Sequence, residues 1–143
     1  MLARGKKSAI IITSSAFGQR PTGGASIVYS ATKSLASFLA IGLSYELEGK
    51  IDVLAWEAGE IATQLSKRKA GGTVLSPKAA IKGMFPSIGR DRVTNGALLH
   101  DIVLRLMGWI PLFYLNKMFI GMGVTVLRKQ RARAPQVVDK KSN

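Results

Sequence analysis

The stretch SAIIITS, residues 8–14, decides the fold of this chain. Its apolar run is rich in β-branched residues and bounded by serines. A short run of that kind fits a fully buried strand of a parallel sheet. The residues ahead of it, MLARGKK, make a short basic start that superficially resembles a secretory leader. The apolar run is too short for the hydrophobic region of a leader, and no convincing small-residue cleavage site follows it. A strand is the better reading.

Outward from this strand, FGQRPTGGAS, residues 17–26, is rich in glycine and proline and reads as a loop. A helix is expected from residue 27 to about 48. Alanines, leucines and Phe38 recur there at helical spacing, and Gly49 stands where a C-cap would. IDVLAWE, residues 51–57, is a second short apolar strand, and AGE then turns into an expected helix over 61–69. GGT breaks the chain again. Ser76 as N-cap and Pro77 at the first helical position begin a further helix. The order β-α-β-α is the signature of a parallel α/β sheet. Two strands do not make a stable doubly wound sheet, since both faces need cover and neighbours. Residues 1–95 therefore read as one half of a Rossmann-like doubly wound sheet.

The composition narrows the chemistry. A length of 143 residues suits one domain, and 47% apolar residues is ordinary for a globular protein. There is no cysteine, which removes disulfides and thiolate metal sites, and the single His100 argues against a histidine-rich metal site. Net charge is +13, from 21 basic against 8 acidic residues. Such a balance suits nucleic acid or an anionic surface. The basic residues are scattered and no nucleic-acid motif is present, so anionic substrates or lipid headgroups fit better.

YSATK, Tyr29 to Lys33, places a tyrosine and a lysine on one face of the expected long helix. Alone, this spacing is weak. Upstream, the first strand ends in TSSAFG, which puts a serine at the C-terminal edge of the sheet, where open α/β sheets place their ligands. Downstream comes EAGEIATQL after the second strand. This order resembles the short-chain dehydrogenase/reductase family over about residues 7–65. The family pattern is a serine ending the fifth strand, Y-x-x-x-K opening the next helix, then P-G-x-V-x-T after the sixth strand.

The resemblance implies catalytic Ser15, Tyr29 and Lys33, with Ser14 as the alternative serine. Reducing a carbonyl needs a proton for the oxygen as hydride reaches the carbon. A lysine ammonium one turn away favours the phenolate and so makes Tyr29 a usable acid. A serine hydroxyl stabilises charge developing on the oxygen. The family also implies that Tyr29 and Lys33 contact the cofactor, Lys33 through the nicotinamide ribose. Gly59, Ile61 and Thr63 match the segment that contacts the carboxamide. Two departures stand out. The interval from Ser15 to Tyr29 is one residue longer than usual in the family, and Ala58 stands where the family has proline.

After Gly96 the character changes. Residues 106–127 carry one charge, Lys117, and are long enough to span a bilayer core of roughly 30 Å as a helix. Pro111 and the central Asn116-Lys117 argue against a simple span. A broken or interfacial helix pair in contact with membrane is expected over 96–127, with a hydrophobic flap over a substrate as the alternative. The remainder, 128–143, is a basic tail expected to be disordered or to face headgroups.

RVTNGALLHDIVLRLMGWIPLFYLNKM, residues 92–118, looks like the region after the catalytic core in very-long-chain 3-oxoacyl-CoA reductases, also known as type 12 17-beta-hydroxysteroid dehydrogenases. By resemblance the reaction is NADPH-dependent reduction of a 3-oxoacyl-CoA, or of a related keto-lipid or steroid, in fatty acid elongation at the endoplasmic reticulum membrane. Lys140 and Lys141, fourth and third from the end, look like a dilysine retrieval signal. The family's glycine-rich phosphate-binding turn, its N-N-A-G and its active-site asparagine have no counterpart here. The expectation is thus the C-terminal half of such an enzyme, inactive alone. The alternative is a non-catalytic, membrane-associated subunit or decoy. It would pair as a homodimer or with a full-length relative through the long helix, which in this family commonly builds dimer interfaces.

Overall fold

The computed structural model describes residues 1–2 and 5–133. The Lys140-Lys141 pair and most of the basic tail lie outside the described residues. In chain order the elements are β1 (Ala9–Thr13), α1 (Ile27–Glu46), β2 (Asp52–Trp56), α2 (Pro77–Met84), β3 (Val93–Thr94), α3 (Leu98–Gly108) and α4 (Leu112–Arg133). The sheet is parallel in the order β1-β2-β3, with Ile11 opposite Leu54 and Trp56 opposite Thr94. The fold is α/β, as the strand and helix pattern implied.

Three expectations need correction. The sheet has three strands, because Val93 and Thr94 of the RVTNG stretch pair with Ala55 and Trp56. Two residues are too short a run to carry a periodic signal. β1 is only part-buried, since β2 takes the central place and β1 lies at an edge of the described sheet. The helix expected over 61–69 does not form. Ser66 Oγ donates to Ile61 O (2.9 Å) and accepts from Thr63 N–H (3.0 Å). Lys67 takes φ 52°, and Ile61 bridges Leu75, so side-chain bonding displaces the helical ladder.

The sequence left the orientation of α1 open. Its buried face is Ser30, Ser37, Ala40 and Ser44, while Phe38 is 72% exposed and Leu35 and Leu39 also face outward. Small side chains let the helix backbone come close to β1 and β2. The packed centre is Leu54 and Ala55 of β2 with Ala40, Ala80 and Met84. Ser76 caps α2 as expected, its Oγ accepting from Ala79 N–H at 3.2 Å. α1 is long and apolar enough to cross a membrane, but it packs on the sheet.

α3 and α4 meet at a bend of 113° on either side of Pro111. α4 is held onto the rest by the loop before α1. Gly23 N–H donates to Asn116 Oδ1 at 2.6 Å, and a Cβ on Gly24 would stand 3.1 Å from Ile120 Cα. Gly24 also has φ +69°, which side chains rarely adopt. Gly24→Ala should therefore lower stability by about 1–3 kcal/mol through left-handed strain alone. Asn116→Ala should cost about 1 kcal/mol. Urea midpoints of the purified variants measure both; a Gly24→Ala midpoint equal to wild type would contradict the left-handed turn, and an unchanged Asn116→Ala midpoint would contradict this docking.

Candidate active site

The sheet delivers its chemistry at its C-terminal edge. β1's ladder continues past the strand: Ser14 N–H donates to Trp56 O (2.8 Å) and Ala16 N–H to Ala58 O (2.9 Å). Between them Ser15 sits in extended backbone, and its Oγ accepts from Phe17 N–H at 3.3 Å. The next turn is pinned to α1. Ser34 Oγ donates to Gly18 O at 2.6 Å, and a Cβ on Gly18 would lie 2.8 Å from the Lys33 carbonyl carbon. Only glycine lets this turn touch the helix that carries Tyr29 and Lys33.

The two candidate serines take different places. Ser15 lines a cavity of about 490 Å³ together with Tyr29. Ser14 turns the other way and donates to Lys33 O at 2.6 Å. Tyr29 is half-exposed, with its ring edge-on to Phe17 at 6.1 Å, and Phe17 packs on Phe119 of α4 at 5.2 Å. Lys33 Nζ lies 5.8 Å from the Tyr29 ring centroid and donates to Thr13 O at 3.2 Å. Gly59 also lines the cavity, but Lys33, Ile61 and Thr63 are not among its lining residues.

Several cavity residues were not singled out one by one in the sequence, and those of the apolar wall lie within 96–127, the segment whose alternative reading is a hydrophobic flap. Val103, Leu104, Met107, Leu115, Phe119 and Met122 form an apolar wall from α3 and α4. His100, the lone histidine, is buried against Gly59, where a Cβ would come within 2.6 Å of its ring. Its Nε2 is 3.0 Å from Thr73 O, and since a carbonyl only accepts, Nε2 is the donor there. Arg20 donates to Met107 O (2.8 Å) and Ile110 O (3.0 Å), which satisfies carbonyls at the end of α3. The one available clue was Glu57, an acid closing an apolar strand at the ligand edge.

Glu57 is 8% exposed. Its Oε1 accepts from Ser37 Oγ at 2.7 Å, and Ser37 Oγ stands 2.9 Å from Ser14 Oγ. Its Oε2 accepts from Gln19 Nε2 at 2.7 Å. Gln19 Nε2 also donates to Asn95 Oδ1 (2.6 Å), and Asn95 Nδ2 donates to Asp101 Oδ1 (3.0 Å). Arg105 closes the chain onto Asp101 at 2.8 Å. One hydrogen-bonded series thus joins the Tyr29-Lys33 helix to α3. No group of residues able to hold a metal is found among the described residues.

The molecule is a parallel α/β protein with a serine and a tyrosine facing one apolar cavity at the sheet's C-terminal edge and a lysine beside them. No protein-family model matches the chain. It is 33% identical over 114 residues to a very-long-chain 3-oxoacyl-CoA reductase of Caenorhabditis elegans, and 32% over 114 to that of Caenorhabditis briggsae. Each match covers 75% of this chain and 36% of the relative, so the chain spans about a third of the curated relatives' length. A solved structure of a 7beta-hydroxysteroid dehydrogenase superposes with TM-score 0.63 at 19% identity, over 86% of this chain and 48% of that one. That likeness shows the fold. The chain belongs to the short-chain dehydrogenase/reductase family of oxidoreductases.

The link to α3 has a pH signature. Asp101 is held below the usual carboxylate range, first by its hydrogen bond from Arg105 and then by that from Asn95. A depressed carboxyl contributes stability above its unfolded value, near 3.9, and loses it as pH falls through the lower folded value. Asp101→Asn should therefore lower Tm by a constant amount between pH 5 and 7, with the gap closing only below about pH 4. Thermal melts of both proteins across that range are the check. A gap that widened on acidification would contradict it.

Proposed function

We propose that this chain contributes the catalytic and substrate-binding half of an NADPH-dependent reductase of 3-oxoacyl-CoA. The single observation carrying this reading is that Ser15 and Tyr29 open into a cavity walled by apolar side chains of α3 and α4. The identity to the nematode reductases supports the substrate class. An apolar wall of this kind suits an acyl chain, which gains about 0.8 kcal/mol per buried methylene.

The residues fit the chemistry such a cofactor requires. Tyr29, Lys33 and the segment of Gly59, Ile61 and Thr63 would hold the nicotinamide end, Tyr29 and Gly59 from inside the cavity. When bound, the cofactor supplies the hydride. Ser15 Oγ donates to the keto oxygen and orients it. The Tyr29 hydroxyl passes its proton to that oxygen as the carbon is reduced, leaving a secondary alcohol. The Lys33 ammonium stabilises the phenolate left behind. Phe17, wedged between Tyr29 and Phe119, holds the tyrosine against the substrate wall.

The reading includes the endoplasmic reticulum membrane. Trp109 is 86% exposed at the corner between α3 and α4, with Leu106 and Phe113 exposed beside it, and Arg128 and Arg131 follow on α4. Apolar side chains flanked by cations suit the interface of an anionic bilayer. Pairing with a second chain is a further reading, favoured by the outward Leu35, Phe38 and Leu39 of α1.

Two experiments test this. With variants introduced at the chromosomal locus, so that the polypeptide keeps its natural length, microsomes are assayed for 3-oxoacyl-CoA reduction by NADPH. Tyr29→Phe should lower the rate about 10²–10⁴-fold, and Ser15→Ala about 10²–10³-fold. Full activity in Tyr29→Phe would sink the reductase reading and favour the non-catalytic one. Separately, Trp109→Ala with Phe113→Ala should cut binding to phosphatidylserine-containing vesicles at least tenfold in a flotation assay. Undiminished flotation would remove this corner from the membrane contact.

A further inference from the structure

Gln19 lines the cavity, and its amide is held in one orientation from both ends. An ionised carboxylate accepts hydrogen bonds and cannot donate them. Glu57 Oε2, 2.7 Å away, therefore requires the Gln19 NH₂ group to face it. Asp101 likewise requires the NH₂ of Asn95, at 3.0 Å, which leaves Asn95 Oδ1 pointing back at Gln19. That oxygen takes the second Gln19 N–H at 2.6 Å. Both amide orientations follow from two carboxylates at the ends of the series. With both its protons used, Gln19 has its Oε1 left over. Among the described residues none donates to it.

From this we infer that Gln19 Oε1 is a specificity-determining acceptor that selects substrates bearing an amide N–H. The inference rests on the reductase reading and deepens it. A keto oxygen is an acceptor, so it is drawn to the Ser15 and Tyr29 hydroxyls and repelled by Oε1. Saturated chains offer Oε1 nothing. The arm of an acyl-CoA or carrier thioester carries secondary amide N–H groups, whereas a steroid ketone carries none. Gln19 thus sorts thioester substrates from steroid ones, while the apolar wall accepts either. Glu57 and Asn95 are positioning residues for this acceptor. The nicotinamide carboxamide is the other amide N–H a reductase of this kind would bind, and the test separates the two.

The test uses the natural-length protein and two 3-oxoacyl thioesters. One is the N-acetylcysteamine thioester, with its amide N–H. The other is the N-acetyl-N-methylcysteamine thioester, with a methyl in its place. Kd and kcat/KM are measured for both. Since Gln19 is exposed, one neutral hydrogen bond gives a modest preference for the N–H compound, about five- to tenfold. In Gln19→Met the ratio should fall to about one. In Glu57→Gln it should also fall, because the Gln19 amide is then free to turn over. An unchanged ratio in Gln19→Met, or a wild-type ratio of one, overturns the proposal. So does a Gln19-dependent preference appearing instead between NADPH and its 3-acetylpyridine analogue, which has no carboxamide. Binding with the expected ratio but no reduction of either thioester would overturn the reductase reading and support Gln19. Reduction of both with no preference would do the reverse.

Discussion

A carboxylate closed off from water is costly unless each of its oxygens finds a donor. Glu57 meets that condition with neutral donors, Ser37 on one oxygen and Gln19 on the other. It makes no ion pair among the described residues. Much of the candidate site hangs on this arrangement. Ser37 belongs to α1, Gln19 to the turn after β1, and Glu57 itself ends the run of β2, with its backbone N–H on Thr94 O of β3 at 2.8 Å. The turn after β1, the ends of β2 and β3, and the helix bearing Tyr29 and Lys33 thus converge on one residue. Removing its side chain would leave Ser37 and Gln19 short of an acceptor rather than merely opening a void.

The second constraint is closeness. The turn carrying Ser15 reaches α1 only because Gly18 has no side chain, and α1 reaches the sheet because its inner face is serine and alanine. Larger residues at these places would push Tyr29 away from Ser15. The serines have a further use. Ser14 and Ser37 supply hydroxyls to the buried network, so the same small residues that permit close packing also satisfy the polar atoms it traps. Close packing and polar satisfaction are thus one feature of this sheet edge.

The cavity is a joint product of two unlike parts. The sheet edge presents hydroxyls, and α3 with α4 presents hydrocarbon. The parts are joined by directional bonds at separate points: Arg20 on the end of α3, Asn116 on Gly23, and the Gln19–Asn95–Asp101 series. Phe17 adds an aromatic bridge from Tyr29 to Phe119. Tyr29 and the apolar wall are therefore tied to one another through Phe17.

Much of this was legible in the residues. The β-branched run before TSS, the helical spacing around YSATK and the Ser76-Pro77 start each act within a few positions, so sequence alone determined the strands β1 and β2 and the helices α1 and α2, while the serine, tyrosine and lysine were read from a family resemblance that left Ser14 and Ser15 both open. Local rules failed where a side chain competed with the backbone, as Ser66 does over 61–69, and where two residues of β3 were too few to show a period. They were also silent on which side of α1 is buried, since serine and alanine signal neither core nor surface. Tertiary structure alone decided that Ser15 rather than Ser14 faces the cavity, and that His100 packs on Gly59. It also brought Gln19 to Asn95 across 76 positions of chain. The reason is physical: caps, turns and helical spacing are set by neighbours, but meetings between distant residues are set by how closely whole elements pack.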